Sequence, residues 1–363
     1  MTTYNSPLHE MTQTTATCLW NDSAAIDELT YSIENGAVGA TCNPVIAATV
    51  LAADAATWRP RAERLLREMP KATEDTIAWQ LVEELSIRAA RLLEPIFETH
   101  RGRNGRLSIQ TDPRFFRDSE AIVTQALAFS RLAPNMIVKI PVTRAGIAAI
   151  EEATAQGVSI NATVCFTLPQ CIAVAEAVER GLRRREADGE DVASMGPVCT
   201  IMVGRLDDWL KVVMERDGIS VDPGFVEWAG VAVFKKAYGI FRERGYRIRL
   251  LSAAFRNHMH WSEFIGADAV VSPTYAWQRR LNAGDVAVIP RIDNPVHPKV
   301  VDELLTHFAD FRRAYAEDGL SVAEFDQFAP TRRTLRQFVA ACGALNTFVR
   351  DVMIPDTDRE AAR

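Results

Sequence analysis

MIVKIPVTRAGIAAIEEATAQGVSINATVCF, residues 136–166, reads as strand, helix and strand in succession. Residues 136–141 and 158–166 are mostly apolar or β-branched, as in parallel strands covered on both faces. Between them, residues 144–155 repeat apolar side chains with a period near 3.6, the pattern of a helix that buries one face. A strand, a helix and a second strand in this order predict a parallel pair joined by a right-handed crossover. One side chain interrupts the first apolar run, and it is Lys139.

The same alternation extends in both directions. Strand candidates fall at residues 15–22, 36–41, 106–111, 136–141, 158–166, 198–203, 246–254 and 268–273, with amphipathic stretches such as 119–132 and 170–184 between them. Either an open doubly wound sheet or a (β/α)8 barrel accommodates them. No GxGxxG or GxxxxGK[ST] follows any strand, which removes the best evidence for an open nucleotide-binding sheet. The units run from about residue 15 to 281, close to the roughly 250 residues typical of a barrel. The expected fold is therefore a (β/α)8 TIM barrel with additional C-terminal helices. Residues 52–104 leave room for two extra helices, and 294–353 carry two more apolar-faced stretches, at 300–315 and 332–353. These last are expected to cross the rim and close over the active face. No repeat or linker divides the chain, so residues 1–363 are expected to form one domain.

Composition narrows the function. Lys plus Arg number 41 and Asp plus Glu 47, a net charge of −6 that gives no reason to expect nucleic acid or an anionic membrane as partner. No apolar run approaches the roughly 20 residues of a membrane span, and residues 1–17 lack the order of a signal peptide. The six cysteines are scattered without metal-ligand spacing and read as free thiols in a reducing cytoplasm.

Barrel active sites lie at the C-terminal ends of the strands. There the sequence places Asp22, Asn43, Gln110, Lys139, Asn161, Thr163, Arg205 and Arg256. A lysine buried in 136–141 sheds its proton to avoid desolvation, and a neutral amine is what attack on a ketone requires. The alternative is a structural lysine paired with Asp22 or another carboxylate. Asp22 also reads as an N-cap for a helix starting near Ser23.

Several segments resemble one family in order along the chain. Gly39-Ala40-Thr41-Cys42-Asn43-Pro44, Val138-Lys139-Ile140-Pro141-Val142-Thr143 and Gly157 to Phe166 resemble strands of the transaldolase family. Val203-Gly204-Arg205-Leu206-Asp207-Asp208-Trp209 and Ala253-Ala254-Phe255-Arg256-Asn257 resemble its two phosphate-binding segments. The resemblance covers residues from about 18 to 272. It implies that Lys139 forms a Schiff base, Asp22 exchanges the hydroxyl proton, and Thr163 holds a catalytic water with Gln110 beside it. Asn43, Asn161, Thr200, Arg205 and Arg256 would bind the substrate, the arginines gripping its phosphate. The implied reaction moves a dihydroxyacetone unit from a ketose phosphate to an aldose phosphate. It calls for no cofactor and no metal, takes a small sugar phosphate as partner, and leaves a homodimer open.

The chain departs from that pattern at Gln110, where the family usually has Glu; an amide orients water but cannot act as a general base. The fructose-6-phosphate aldolase branch also has Gln there but adds a Tyr where this chain has Met202, and Ala254 replaces a phosphate-site Ser. Alternatives are thus an aldolase of that branch, a transaldolase for a modified sugar, or a non-catalytic phosphosugar-binding barrel. His258 and His260 read as a rim loop rather than a zinc site, and Asp207-Asp208 as helix-start acids rather than a Mg2+ site. Trp20, Trp209 and Trp277 are expected at the substrate mouth or in the core, and 180–185 as a solvated basic helix end.

Overall fold

All eight apolar runs become strands: β1 (Cys18–Asn21), β2 (Ala37–Thr41), β3 (Arg106–Gln110), β4 (Met136–Pro141), β5 (Ile160–Cys165), β6 (Val198–Ile201), β7 (Arg249–Ala253) and β8 (Val270–Ser272). The computed structural model describes residues 4–355. The ends of the expected 1–363 unit, and the first three residues of the polar N-terminal segment, lie outside them. Every strand pairs in parallel with its sequence neighbours, and β1 pairs with β8, so the sheet closes into an eight-stranded barrel.

Strands are shorter than the apolar runs for local reasons. Thr15 ends the helix Pro7–Thr14, its hydroxyl bonded to the Met11 carbonyl at 2.8 Å, so β1 begins only at Cys18. Gly245 takes a left-handed φ of 63° at the end of the helix Ala229–Arg244. Tyr246 then packs edge-on against Phe241, and β7 starts three residues later, at Arg249.

The barrel interior is filled. Trp20, Ile137, Val198, Leu251, Ala253 and Val270 form a cluster that is almost wholly inaccessible to solvent. Trp20 therefore belongs to the interior rather than the mouth. Its indole explains Gly39: a Cβ there would stand 2.4 Å from the ring. At the N-terminal strand ends two buried arginines, Arg106 and Arg249, bond to the carbonyls of Gly102, Met136, Ser194 and Arg103 and to Asn104. Burial, with Arg249 nearby, lowers Arg106 to about 10.

Three helices follow β2: α1 (Pro44–Ala53), α2 (Ala55–Glu68) and α3 (Glu74–Thr99). Three more bear on the site: α4 (Leu168–Ala187), α5 (Val203–Arg216) and the C-terminal α6 (Ala329–Met353). Leu335, Phe338, Cys342, Leu345 and Val349 recur on one face of α6 and are buried. That face packs against α1, α2, α3 and α5 and reaches β5, so α6 lies across the C-terminal rim. The basic end of α4 pairs with acids of a neighbouring helix, Arg180 with Glu151 at 2.7 Å and Arg184 with Glu152 at 2.9 Å. Among the described residues no helix is long and apolar enough to cross a membrane.

Candidate active site

Parallel pairing sets the polar groups side by side. Gln110 registers with Lys139, and Lys139 with Asn161, on adjacent strands. Asn161 is held from both sides: its Nδ2 donates to Ser108 Oγ at 3.0 Å and its Oδ1 accepts from Thr200 Oγ1 at 2.6 Å. With both ends bonded, the amide is fixed in rotation before any ligand arrives.

Lys139 is 4% exposed. Among the described residues its Nζ has no hydrogen-bond partner and no carboxylate within 4.0 Å, so the structural pairing with Asp22 is not formed. Burial pushes its pKa below the ordinary 10.5, partly offset by the charge of Asp22. Burial likewise raises Asp22 above 3.8, against the pull of Lys139 and Arg205. Burial disfavours the charged form of both groups, while each charge supports the other. An amine that gives up its proton more readily than in water, beside a carboxyl that takes one up more readily, can act as a nucleophile with a proton exchanger.

Asp22 does not cap a helix. The helix after β1 starts at Ile26, with Ala25 at its cap and no side-chain cap bond; Ser23 Oγ instead accepts from the Ala25 N–H at 3.2 Å. Asn43 is the residue that caps: its Oδ1 accepts from the Ile46 N–H at 3.0 Å at the start of α1. That use of the oxygen leaves the amide nitrogen for the cavity.

The cavity beside Lys139 measures about 280 Å3, and Asp22, Asn43, Thr200, Met202, Arg205 and Arg256 are among its lining residues. Ala254, Trp277 and Phe338 also line it. Trp277 is therefore at the mouth, whereas Trp209 turns away and donates to Asp310 at 2.7 Å. Gln110 and Thr163 are buried in the neighbouring strands. Neither amide atom of Gln110 has a hydrogen-bond partner, and Thr163 Oγ1 meets only Met202 Sδ at 4.0 Å. Buried amide atoms left unbonded cost about 1–3 kcal/mol each, so those of Gln110 call for a bound water or ligand.

The two arginines stand at the outer end. Arg205 is inside the first turn of α5, its Nη1 bonded to Gln337 of α6 at 2.6 Å and its guanidinium 5.9 Å from the Phe338 ring. Arg256 follows β7 and pairs with Asp208 at 2.7 Å. Beyond them Arg333, Thr334 and Gln337 of α6 join Arg205, Asp208 and Arg256 around a further cavity of about 420 Å3. Burial and the neighbouring Arg256 both lower Arg205, against the pull of Asp208 and Asp22. The site thus offers one nucleophile at its floor and a cationic end at its lip.

The sequence places a C-terminal helix across the rim, and α6 lies there, but nothing in residues 329–353 marks Phe338, Gln337 or Arg333 individually as facing the barrel. Sequence reading also placed His260 on a rim loop, whereas His260 is fully buried against Asp207 at 2.8 Å. Asp207 is accordingly a buried partner and not a helix-start acid in solvent. The scattered cysteines are all free, yet Cys165, Cys171 and Cys199 converge behind β5 with their sulfurs within 4.8 Å of one another. A bulge in β5 makes this possible: three steps from Ala162 to Cys165 face two on β6, and Val164 takes a φ of 56°.

The chain is similar to known proteins over much of its length. The family model described as Transaldolase/Fructose-6-phosphate aldolase matches residues 19–319. Transaldolase 1 of Streptomyces avermitilis is 32% identical over 209 residues, 57% of this chain and 54% of that protein. A transaldolase of Kocuria rhizophila is 30% identical over 57% of this chain and 56% of its own length. One of Thermobifida fusca is 35% identical over 48% and 47%. The chain spans about half the length of the curated relatives it matches. The match nevertheless takes in all eight strands but the first residue of β1, together with Lys139 and both arginines, and the chain belongs to the transaldolase/fructose-6-phosphate aldolase family.

Proposed function

We propose that this protein is a transaldolase, moving a dihydroxyacetone unit from a ketose phosphate to an aldose phosphate through a Schiff base on Lys139. The observation that carries this reading is the buried, unbonded Nζ of Lys139 facing a cavity whose far end holds Arg205 and Arg256. A ketose phosphate has matching ends: an electrophilic carbonyl near one terminus and a dianion at the other.

In this mechanism the neutral amine adds to the ketone carbon, and the carbinolamine loses water to give an iminium. Asn43 and Asn161 orient the oxygen while it is still attached. Asp22 takes the proton of the hydroxyl on the far carbon of the bond to be cut, the carbon that becomes the aldehyde. The C–C bond then breaks, its electron pair moves into the iminium, and an aldose phosphate leaves. The retained enamine attacks the carbonyl carbon of an incoming aldose phosphate, Asp22 returns its proton, and water releases the new ketose. Thr163 and Gln110 hold the water that shuttles protons between these steps, and Arg205 and Arg256 bind the phosphate.

Gln110 favours a second reading, an aldolase that releases the three-carbon unit, because its amide cannot serve as a general base for the usual relay. The test is product analysis with fructose 6-phosphate, with and without erythrose 4-phosphate, on wild type and Lys139→Ala. Transfer product only when the acceptor is present supports the transferase. Free dihydroxyacetone without acceptor supports the aldolase. Turnover by Lys139→Ala equal to wild type would refute both.

A further inference from the structure

Arg256 sits on a strained turn. Ala254, two residues before it, has a φ of 64°, a left-handed conformation that costs a non-glycine residue about 1 kcal/mol or more and persists only when its surroundings hold it. The surroundings here can be named. The Arg256 backbone N–H donates to His260 Nδ1 at 3.0 Å. His260 Nε2 lies 2.8 Å from Asp207 Oδ2, and Asp207 Oδ1 accepts from the Gly230 N–H at 2.8 Å. The ring of His260 and the carboxylate of Asp207 are both fully buried.

These partners settle the proton positions. Nδ1 receives an N–H and so carries no proton; Nε2 therefore carries it and donates to Asp207. Both oxygens of Asp207 then accept, the pattern that a carboxylate makes. The dyad thus spans the two anion-binding segments: Asp207 lies two residues after Arg205 on α5, and His260 grips the backbone of Arg256. Gly204 allows the approach, since a Cβ there would stand 2.1 Å from the Ala254 carbonyl and 3.1 Å from the His260 ring.

We propose that Asp207 and His260 are positioning residues that set the spacing of Arg205 and Arg256 for a phosphate monoester. This inference rests on the reading of the two arginines as the phosphate site, and the assay separates the two. Titration calorimetry with inorganic phosphate is run on the full chain and on three variants, Asp207→Asn, His260→Phe and His260→Asn. Asp207→Asn keeps the shape but sets an amide N–H against either Gly230 or His260. His260→Phe keeps the ring and loses both bonds. His260→Asn puts an oxygen near the Nδ1 position, where it accepts from Arg256 again.

Phosphate affinity should fall about tenfold or more in Asp207→Asn and His260→Phe, and His260→Asn should recover part of the loss. Steady-state kinetics should show the same loss as a raised KM for fructose 6-phosphate. Turnover of unphosphorylated fructose should stay within about twofold of wild type, a split that general destabilisation of the fold would not produce. Wild type and variants that bind phosphate alike would overturn the proposal and leave the arginine site standing. No phosphate binding by wild type would overturn both.

Discussion

Replacing Gln110 by Met tests what the unbonded amide is for. The side chain is 1% exposed, and both its Oε1 and Nε2 lack hydrogen-bond partners. Each such atom costs about 1–3 kcal/mol relative to a solvated or bonded one. Methionine has nearly the same length and volume, so it introduces little cavity or overpacking cost. The water that Gln110 is proposed to hold satisfies these atoms, so the exchange should leave stability within about 1 kcal/mol of wild type. Activity should fall about 100-fold as the water relay loses its orienting amide. Urea unfolding followed by circular dichroism measures the first effect, and turnover of fructose 6-phosphate the second. A variant that is less stable than wild type and equally active would show that the amide is a structural partner, and the reasoning fails.

Other consequences follow from the ion pairs and the buried lysine. Asp208→Asn frees Arg256 from its 2.7 Å pair and removes a negative charge from the outer cavity, so KM for a phosphorylated ketose should drop about two- to fivefold; a higher KM in steady-state assays would contradict this. Asp22→Asn removes the charge that helps keep a proton on Lys139. The pH at which borohydride-trappable adduct first forms should then shift downward, and an unchanged pH would show that Asp22 does not act on the amine. Phe338→Ala deletes a buried ring that touches both the α6 interface and the cavity wall. It should cost about 3–5 kcal/mol in urea unfolding and raise KM, whereas unchanged values would place α6 away from the site.

Strand positions were legible because barrel strands buried on both faces leave almost uninterrupted apolar runs, as in residues 136–141. Their exact ends were not, since Thr15 and Tyr246 continue the apolar or β-branched pattern while bonding or packing to the preceding helix. Lys139 stood out for the same reason the strand did: a charge inside such a run is expensive. Asp22 was ambiguous, because an acid before a helix looks the same whether it caps or faces a cavity. Only the start of that helix at Ile26 separates the two.

What the chain hid lies in contacts between distant segments. Asp207 and His260 are 53 residues apart, and their bond depends on how α5 packs beside the turn after β7. The charge pattern of Asp207-Asp208 suits a solvated helix start equally well, so burial of one and exposure of the other had no local signal. Phe338 and Gln337 reach the site only because α6 crosses the rim. The three thiols meet only because Val164 bulges β5 and turns Cys165 toward α4, where Cys171 stands at 3.5 Å.

Mass spectrometry after borohydride reduction in the presence of fructose 6-phosphate tests the central claim most directly. Wild type should gain one dihydroxyacetone unit, less a water and plus two hydrogens, on the peptide containing Lys139, and Lys139→Ala should gain nothing. An adduct on another lysine, or the same adduct on Lys139→Ala, would contradict the account.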